Sequence, residues 1–283
     1  MKYLVAVSGG VDSVVLLDMF AKRQSETVIV AHFDHGIRTD SADDALFVKA
    51  LAAKYNLPFV SRREELGAGA SEELARKRRY AFLRSEAKKH AAHIVTAHHQ
   101  DDLIETIAIN IYRGTGWRGL AVFGAKGISR PLLAMKKTDL YEYALKHRLE
   151  WVEDSTNRER TYLRNRLRIR LASLPVVDME NLVRLWQEQT ALVRKITQEM
   201  APFLVRPHLR YFFVTIEPQV ALELLRTLIK NETTYSPTRP QGERALMAIK
   251  TAKPGSMLYV GEGVSLQFSQ NSFIVVPPQK MLS

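Results

Sequence analysis

Four short apolar runs, each followed at once by a helical pattern, constrain this chain more than any other feature. Tyr3–Val7, Thr27–Phe33, Pro58–Ser61 and His93–Ala97 are rich in strand formers, while Val11–Lys22, Ser41–Tyr55, Ser71–His90 and Asp101–Tyr112 carry helical spacing. Strand–helix alternation with short connections implies right-handed βαβ units, hence a parallel sheet with helices on both faces. The unbroken apolar character of Tyr3–Val7 and Val28–Ala31 suits strands covered on both sides. The expected class is therefore α/β, a doubly wound parallel sheet, in which ligands gather at the carboxyl ends of strands.

A different pattern starts after Leu171. Leu174-Pro175 breaks a helix, Asp178–Ala201 reads as one long helix, and another is expected over Pro218–Lys230 with Pro218 in its first turn. Tyr235–Gly242, which holds Pro237, Pro240 and Gly242, reads as a loop. Ser256–Val260, Val264–Ser269 and Ser272–Val276 read as short strands joined at Gly261-Glu262-Gly263 and Gln270-Asn271. A chain of 283 residues, 46% apolar, can fill two cores. The expected organisation is a nucleotide-binding catalytic domain over 1–172, a linker helix region over 173–205 and a small α+β domain over 206–283.

The first run ends in Ser8-Gly9-Gly10-Val11-Asp12-Ser13. A strand entering two glycines and then a helix turns several backbone N–H groups outward at the positive end of a helix dipole, a ready site for phosphate. A Walker loop would need a lysine at a spacing not found here, and the three glycines of a dinucleotide fingerprint are also absent. Asp12 would repel phosphate unless a cation stood between them. Magnesium fits that role, being commonly held by one or two carboxylates plus phosphate oxygens. The loop is thus read as a seat for the pyrophosphate of Mg·ATP, with Asp12 on the metal. The plainer alternative is a turn with a solvated aspartate.

Composition narrows the partner. Lys+Arg number 41 against 30 Asp+Glu, a formal net charge of +11, which favours a polyanion such as nucleic acid over an indifferent basic surface. Cysteine is absent, so disulfides, thiolate metal sites and cysteine nucleophiles are excluded. No stretch approaches the roughly 18 apolar residues of a membrane span, and the amino terminus does not read as a signal peptide. A cytoplasmic location without membrane contact is expected.

SGGVDS after a first strand resembles the signature of the N-type ATP pyrophosphatases, the PP-loop enzymes. The resemblance implies cleavage of ATP between its α- and β-phosphates, adenylylation of a carbonyl oxygen and displacement of AMP by a nucleophile. Sulfur transfer and glutamine hydrolysis, two branches of that chemistry, use cysteine, so a free amine or ammonia remains as nucleophile. Further blocks follow in order. They are His32-Phe33-Asp34-His35-Gly36-Ile37-Arg38, Gly69–Tyr80, Ala97–Thr106, Arg113-Gly114-Thr115-Gly116, Arg130-Pro131-Leu132-Leu133, and Glu153–Asn157 with Arg164-Asn165-Arg166. The ordered set is similar to the tRNA(Ile)-lysidine synthetase family, densely over about residues 1–170 and loosely beyond, in a short form without the last C-terminal domain. That resemblance implies a ligase using ATP, Mg²⁺, free L-lysine and a tRNA(Ile) with a CAU anticodon.

Individual residues carry both readings. His98, Asp101, Asp102 and Glu105 are spaced to share a helix face. By the resemblance Asp102 and Glu105 receive the lysine amine and His98 lies near the phosphates or the adenylylated intermediate; acids at a helix start are also ordinary dipole partners. His32 and His35 flank Asp34, a weak zinc pattern; the resemblance puts Asp34 in the active site, against a turn-forming alternative. Arg76, Arg79 and Tyr80 could clamp phosphate or stack an unpaired base, or form a solvated helix face. Arg76 and Arg164 are read as catalytic and Arg79, Tyr80, Arg166 and Arg168 as RNA-binding, with ATP phosphate or RNA both open for Arg164 and Arg166, which match the family's active-site block. Two rivals stay open: an ammonia-dependent amide synthetase, and an RNA module that binds nucleotide without catalysis. The sequence leaves a homodimer open.

Overall fold

The apolar runs form an all-parallel sheet in a computed structural model of the chain. It describes residues 1–23, 26–36, 41–67, 69–125, 127–153, 163–171, 173–205, 207–233 and 235–278, without the side chains of 41, 42 and 163–165. Packing divides the chain into two units, Met1–Ala191 and Leu192–Ser283.

In the first unit the strands are β1 (Lys2–Ala6), β2 (Thr27–Asp34), β3 (Phe59–Arg63), β4 (His93–Val95) and β5 (Ile128–Ser129), in the order β3-β2-β1-β4-β5. The two-residue β5 is too short to leave a sequence pattern. The chain runs outward from β1 through β2 to β3, then returns to β4 on the other side of β1. Loops leaving β1 and β4 therefore diverge and open a crevice between them, the usual ligand position in such sheets.

Strand alternation divides the core. Val5, Val28 and Val30 pack on one face with Val14, Leu16, Leu17 and Phe20 of α1 (Val11–Ala21). Leu4, Ile29, Ala31 and Phe33 pack on the other with Phe82 and Leu83 of α3 (Glu72–His90). Each such buried Leu or Phe contributes about 1.5–3 kcal/mol. Helix α1 is apolar nearly all round because it is covered on several sides, by the sheet and by α5 (Lys137–Lys146). Its buried carboxylate, Asp18, accepts hydrogen bonds from Lys22 Nζ at 2.7 Å, Tyr55 Oη at 2.8 Å and Tyr143 Oη at 2.7 Å. These tie α1 to α5 and to the residue following α2 (Ser41–Lys54). Helix α3 starts where Ser71 Oγ accepts Leu74 N at 3.1 Å and stops at Ala91 in the left-handed region. Two more helices pack against each other, α4 (Gln100–Tyr112) and α6 (Leu163–Leu171). The unit boundary falls inside α7 (Val176–Met200).

The second unit is an antiparallel sheet of β6 (His208–Leu209), β7 (Met257–Gly261), β8 (Val264–Phe268) and β9 (Ser272–Val276), ordered β6-β9-β8-β7. Its inner face packs with α8 (Arg210–Thr215), α9 (Pro218–Thr233) and α10 (Arg239–Thr251) around Phe213, Leu225, Ile249 and Phe268. The expected loop Tyr235–Gly242 is corrected in its last residues, which open α10. Pro240 sits in the first helical turn, where its missing N–H has no helical partner to lose. Gln241 Oε1 accepts the N–H of the capping Thr238 at 2.8 Å. Among the described residues no helix is long and apolar enough to cross a membrane.

Candidate active site

A cleft of about 550 Å³ opens at the carboxyl ends of β1, β2 and β4. Its rim is the Ser8–Ser13 loop. Gly9 has φ +101°, a conformation that side-chain-bearing residues rarely adopt. The turn is held from within: Ser13 Oγ accepts Ser8 N and Gly9 N, each at 3.2 Å, and donates to Gly10 O at 2.8 Å. Val152 N donates to Gly9 O at 3.0 Å, a tie from a distant part of the chain. Gly10 precedes α1 without a capping side chain, and Gly10, Asp12 and Ser13 line the cleft. The positive end of α1 is thus presented to it.

Asp12 faces the cleft. Its Oδ1 is buried and has no hydrogen-bond partner among the described residues, while Oδ2 lies 3.6 Å from His99 Nε2 and 3.9 Å from Lys137 Nζ. A bare carboxylate oxygen beside a phosphate-type loop suits Mg²⁺, which completes its shell with water and phosphate oxygens. Among the described residues no three His, Asp or Glu converge as a protein-only metal cage.

At the end of β2, His32 Nδ1 donates to Val7 O at 2.9 Å and fastens the strand to the start of the loop. Asp34 lines the cleft yet is only 5% exposed. Its Oδ1 accepts Gly36 N at 2.9 Å and its Oδ2 lies 3.1 Å from Arg63 Nη1. Both oxygens therefore hold a turn and an ion pair. Burial, reinforced by the Arg79 charge, pushes the His35 pKa down.

Arg76 and Arg79 of α3 line the cleft and lie 5.0 and 5.5 Å from the Tyr80 ring centroid. Burial raises the Tyr80 pKa, but Arg76, Arg79 and Arg130 outweigh it and lower the phenol. The expectation that Tyr80 stacks an RNA base is corrected by its place in the core with Phe33, Phe82 and Leu83. Its aromatic face serves the two arginines instead.

The fourth-strand block departs most from the shared helix face. His98 precedes α4, hydrogen-bonds through Nδ1 to Thr96 Oγ1 at 2.8 Å and packs its ring 4.9 Å from Phe123. His99, which the spacing argument passed over, caps the helix: its N–H donates to Asp102 Oδ2 at 3.1 Å. Its buried ring lies 3.3 Å from Asp101, 3.6 Å from Asp12 and 3.4 Å from Asp102. Burial lowers the His99 pKa, but Asp101, Asp12 and Asp102 together drive it up to about 10, so the ring is an imidazolium. Contact with His99 holds Asp101 below the usual carboxylate range, assisted by Lys137 N at 2.9 Å.

Asp102 lines the cleft, but Glu105 does not. Glu105 is 4% exposed and receives Arg168 Nε at 2.5 Å and Nη2 at 3.0 Å. Where the sequence reading has Glu105 meeting an amine and Arg168 meeting RNA, the structure pairs the two side chains with each other. Arg166 is exposed on α6. Arg164 falls outside the described side chains, and Ile37, Arg38, Asp154–Asn157, Arg158 and Arg160 fall outside the described residues. The cleft thus combines an anion loop with a metal-ready carboxylate, two arginines on α3 and a further carboxylate, Asp102.

Comparison with known proteins agrees with this geometry. The PP-loop domain family model matches residues 1–174. A tRNA(Ile)-lysidine synthase of Thermotoga maritima is 35% identical over 251 residues, 80% of this chain and 60% of the relative. One of Exiguobacterium sibiricum is 40% identical over 177 residues, 60% of this chain and 42% of the relative. The chain thus spans 60% of the length of the first of these relatives and 42% of the second. In fold it is similar to the U34-tRNA thiolase NcsA of Methanococcus maripaludis, with TM-score 0.56 and 16% identity, covering 69% of this chain and 72% of that one.

Proposed function

Because this chain belongs to the PP-loop domain family, we propose that it is an ATP-dependent tRNA-modifying ligase. Its reaction joins free L-lysine to C2 of the wobble cytidine in a tRNA(Ile) with a CAU anticodon. In the first step cytidine O2 attacks the α-phosphorus, and the bond to the bridging β-phosphate oxygen breaks to release pyrophosphate. In the second a lysine amine attacks C2, the C2–O2 bond breaks and AMP leaves with that oxygen; the amine gives up a proton.

The observation that supports this best is the placement of two chemistries on one switch point. The Ser8, Gly9, Gly10, Val11, Asp12 and Ser13 loop receives the departing pyrophosphate, and Asp12 Oδ1 would hold the Mg²⁺ that accompanies ATP. Bound there, the metal offsets charge on the phosphates. Arg76 and Arg79 stabilise charge at the α-phosphate. Asp102 holds the incoming ammonium and accepts its proton, with His98 beside the adenylylated base. Reaching C2 requires an unstacked cytidine, which a loop presents and a duplex does not.

The test is incubation of the protein with Mg·ATP, labelled lysine and a tRNA(Ile) transcript bearing CAU. Label should enter the RNA with stoichiometric AMP and pyrophosphate. Folded protein that binds ATP and this tRNA, yet transfers no label, sinks the proposal. Ammonia incorporation into a small acid without RNA would establish the amide-synthetase rival.

A further inference from the structure

Helices α4 and α6 form a second, smaller recess of about 180 Å³, lined by Tyr112, Arg166, Leu167 and Arg170. We propose that this recess takes one unpaired nucleotide of the substrate RNA, beyond the nucleotide that reacts; the proposal rests on the RNA reading above.

Tyr112 is 69% exposed at the end of α4, an orientation that leaves ring surface open to solvent. Arg166 and Arg170 are exposed on α6 and stand four apart, so they share a helix face, while Arg168 points to the other side and holds Glu105. That bidentate tie fixes α6 against α4, so Arg166 and Arg170 line the same recess as Tyr112. An aromatic face, two guanidiniums and a leucine side chain are the groups that grip a splayed-out base and its phosphate. The recess is smaller than the roughly 300–1,000 Å³ of a small-molecule site, which suits one planar base better than a whole metabolite. The two arginines complement RNA in charge, and the chain carries a surplus of +11.

Position agrees as well. Asp102 in the cleft and Tyr112 lie ten residues apart on α4, about 15 Å along the helix axis. A nucleotide here is a few steps along a single strand from one reacting in the cleft.

The experiment measures binding of the CAU tRNA(Ile) transcript to the full chain by fluorescence anisotropy over a salt series, with ATP binding measured in parallel. Tyr112→Ala should weaken RNA binding roughly 10-fold or more, the loss expected of one stacked base. It should leave ATP affinity and the salt slope unchanged, and Tyr112→Trp should bind as the parent does. Arg166→Ala and Arg170→Ala should each lower the slope of log K against log salt by about 0.7–0.9. Unchanged tRNA affinity in Tyr112→Ala, with the parent binding normally, overturns the recess and leaves the function standing; it would mean this face serves another partner, such as a protein. A parent chain that binds no RNA overturns both.

Discussion

Removing the Arg168 guanidinium decides whether Glu105 is a structural tie or a reacting carboxylate. Breaking a fully buried pair from one side costs about 3–5 kcal/mol, whereas exposed pairs are worth about 0.2–1 kcal/mol. Glu105 lies at the buried extreme, but the Arg168 side chain is 41% exposed, so solvent screens part of the interaction. An intermediate loss of about 2 kcal/mol follows, which for a unit of this size lowers Tm by roughly 4–8 °C. Arg168→Met keeps the apolar stem while removing the charge, and Glu105→Gln keeps the shape. The two singles should lower Tm alike, and the double variant should lose little more than either, a coupling of about 1–2 kcal/mol. Both should lower lysine incorporation together, because α6 loses its anchor. Circular dichroism melts and the labelled-lysine assay read the two quantities. A Glu105→Gln protein with unchanged Tm and no incorporation, beside an Arg168→Met protein that stays active, would refute the tie and return Glu105 to the chemistry.

Asp12→Asn should nearly abolish pyrophosphate release from Mg·ATP while tRNA affinity, read by anisotropy, stays near the parent's. Gly9→Ala forces a side chain into φ +101°, costing on the order of 1–2 kcal/mol and weakening ATP binding, which calorimetry measures. Asp18 supplies a pH signature: burial would raise its pKa, but hydrogen bonds from Lys22, Tyr143 and Tyr55 outweigh this and lower it. A depressed carboxylate stabilises above its unfolded pKa of about 3.9 and loses that contribution as pH falls through the folded value. The Tm advantage over Asp18→Asn should therefore be full near neutrality and shrink below about pH 4. In the second unit Arg210 donates to Ile249 O at 2.7 Å, Ala252 O at 2.8 Å and Ser269 O at 3.0 Å. Arg210→Ala should cost about 3 kcal/mol or more, seen as faster amide exchange at the end of α10, with Arg210→Lys recovering only part.

How far the sequence could be read depended on periodicity. The first four strands and four helices lie within a residue or two of their expected ends, because each apolar run is long enough to show its spacing and alternates with a helical pattern. The loop Ser8–Ser13 was legible because glycines and a strand-to-helix turn have few alternatives. What escaped were interactions that depend on partners far along the chain. Spacing alone put Asp102 and Glu105 on one face, but could not show Arg168 arriving sixty-three residues later to cover Glu105. Tyr80 looked like an RNA platform because its neighbours are arginines; burial against Phe82 and Leu83 is tertiary information. The α10 start was lost for a different reason, since Pro240 and Gly242 signal a loop until Thr238 and Gln241 are read as a helix cap.

His99 shows why such a cleft needs more than the groups that touch substrate. Three carboxylates, Asp12, Asp101 and Asp102, surround the His99 ring at the edge of the cleft, and like charges in a partly buried site repel strongly. The two adjacent histidines beside three acids were the available signal, and only the second stands among all three carboxylates. Its imidazolium, held up to about 10, cancels one of those charges permanently at neutral pH, and Lys137 stands 3.9 Å from Asp12. What remains is a modest negative surplus with Asp12 Oδ1 unpartnered. A surplus of that size attracts a divalent ion and an ammonium without excluding a polyanion, provided the anion enters on the α1 dipole and the α3 arginines. His99 touches both Asp12 of the loop and Asp102 of α4, so loop and carboxylate act as one electrostatic unit.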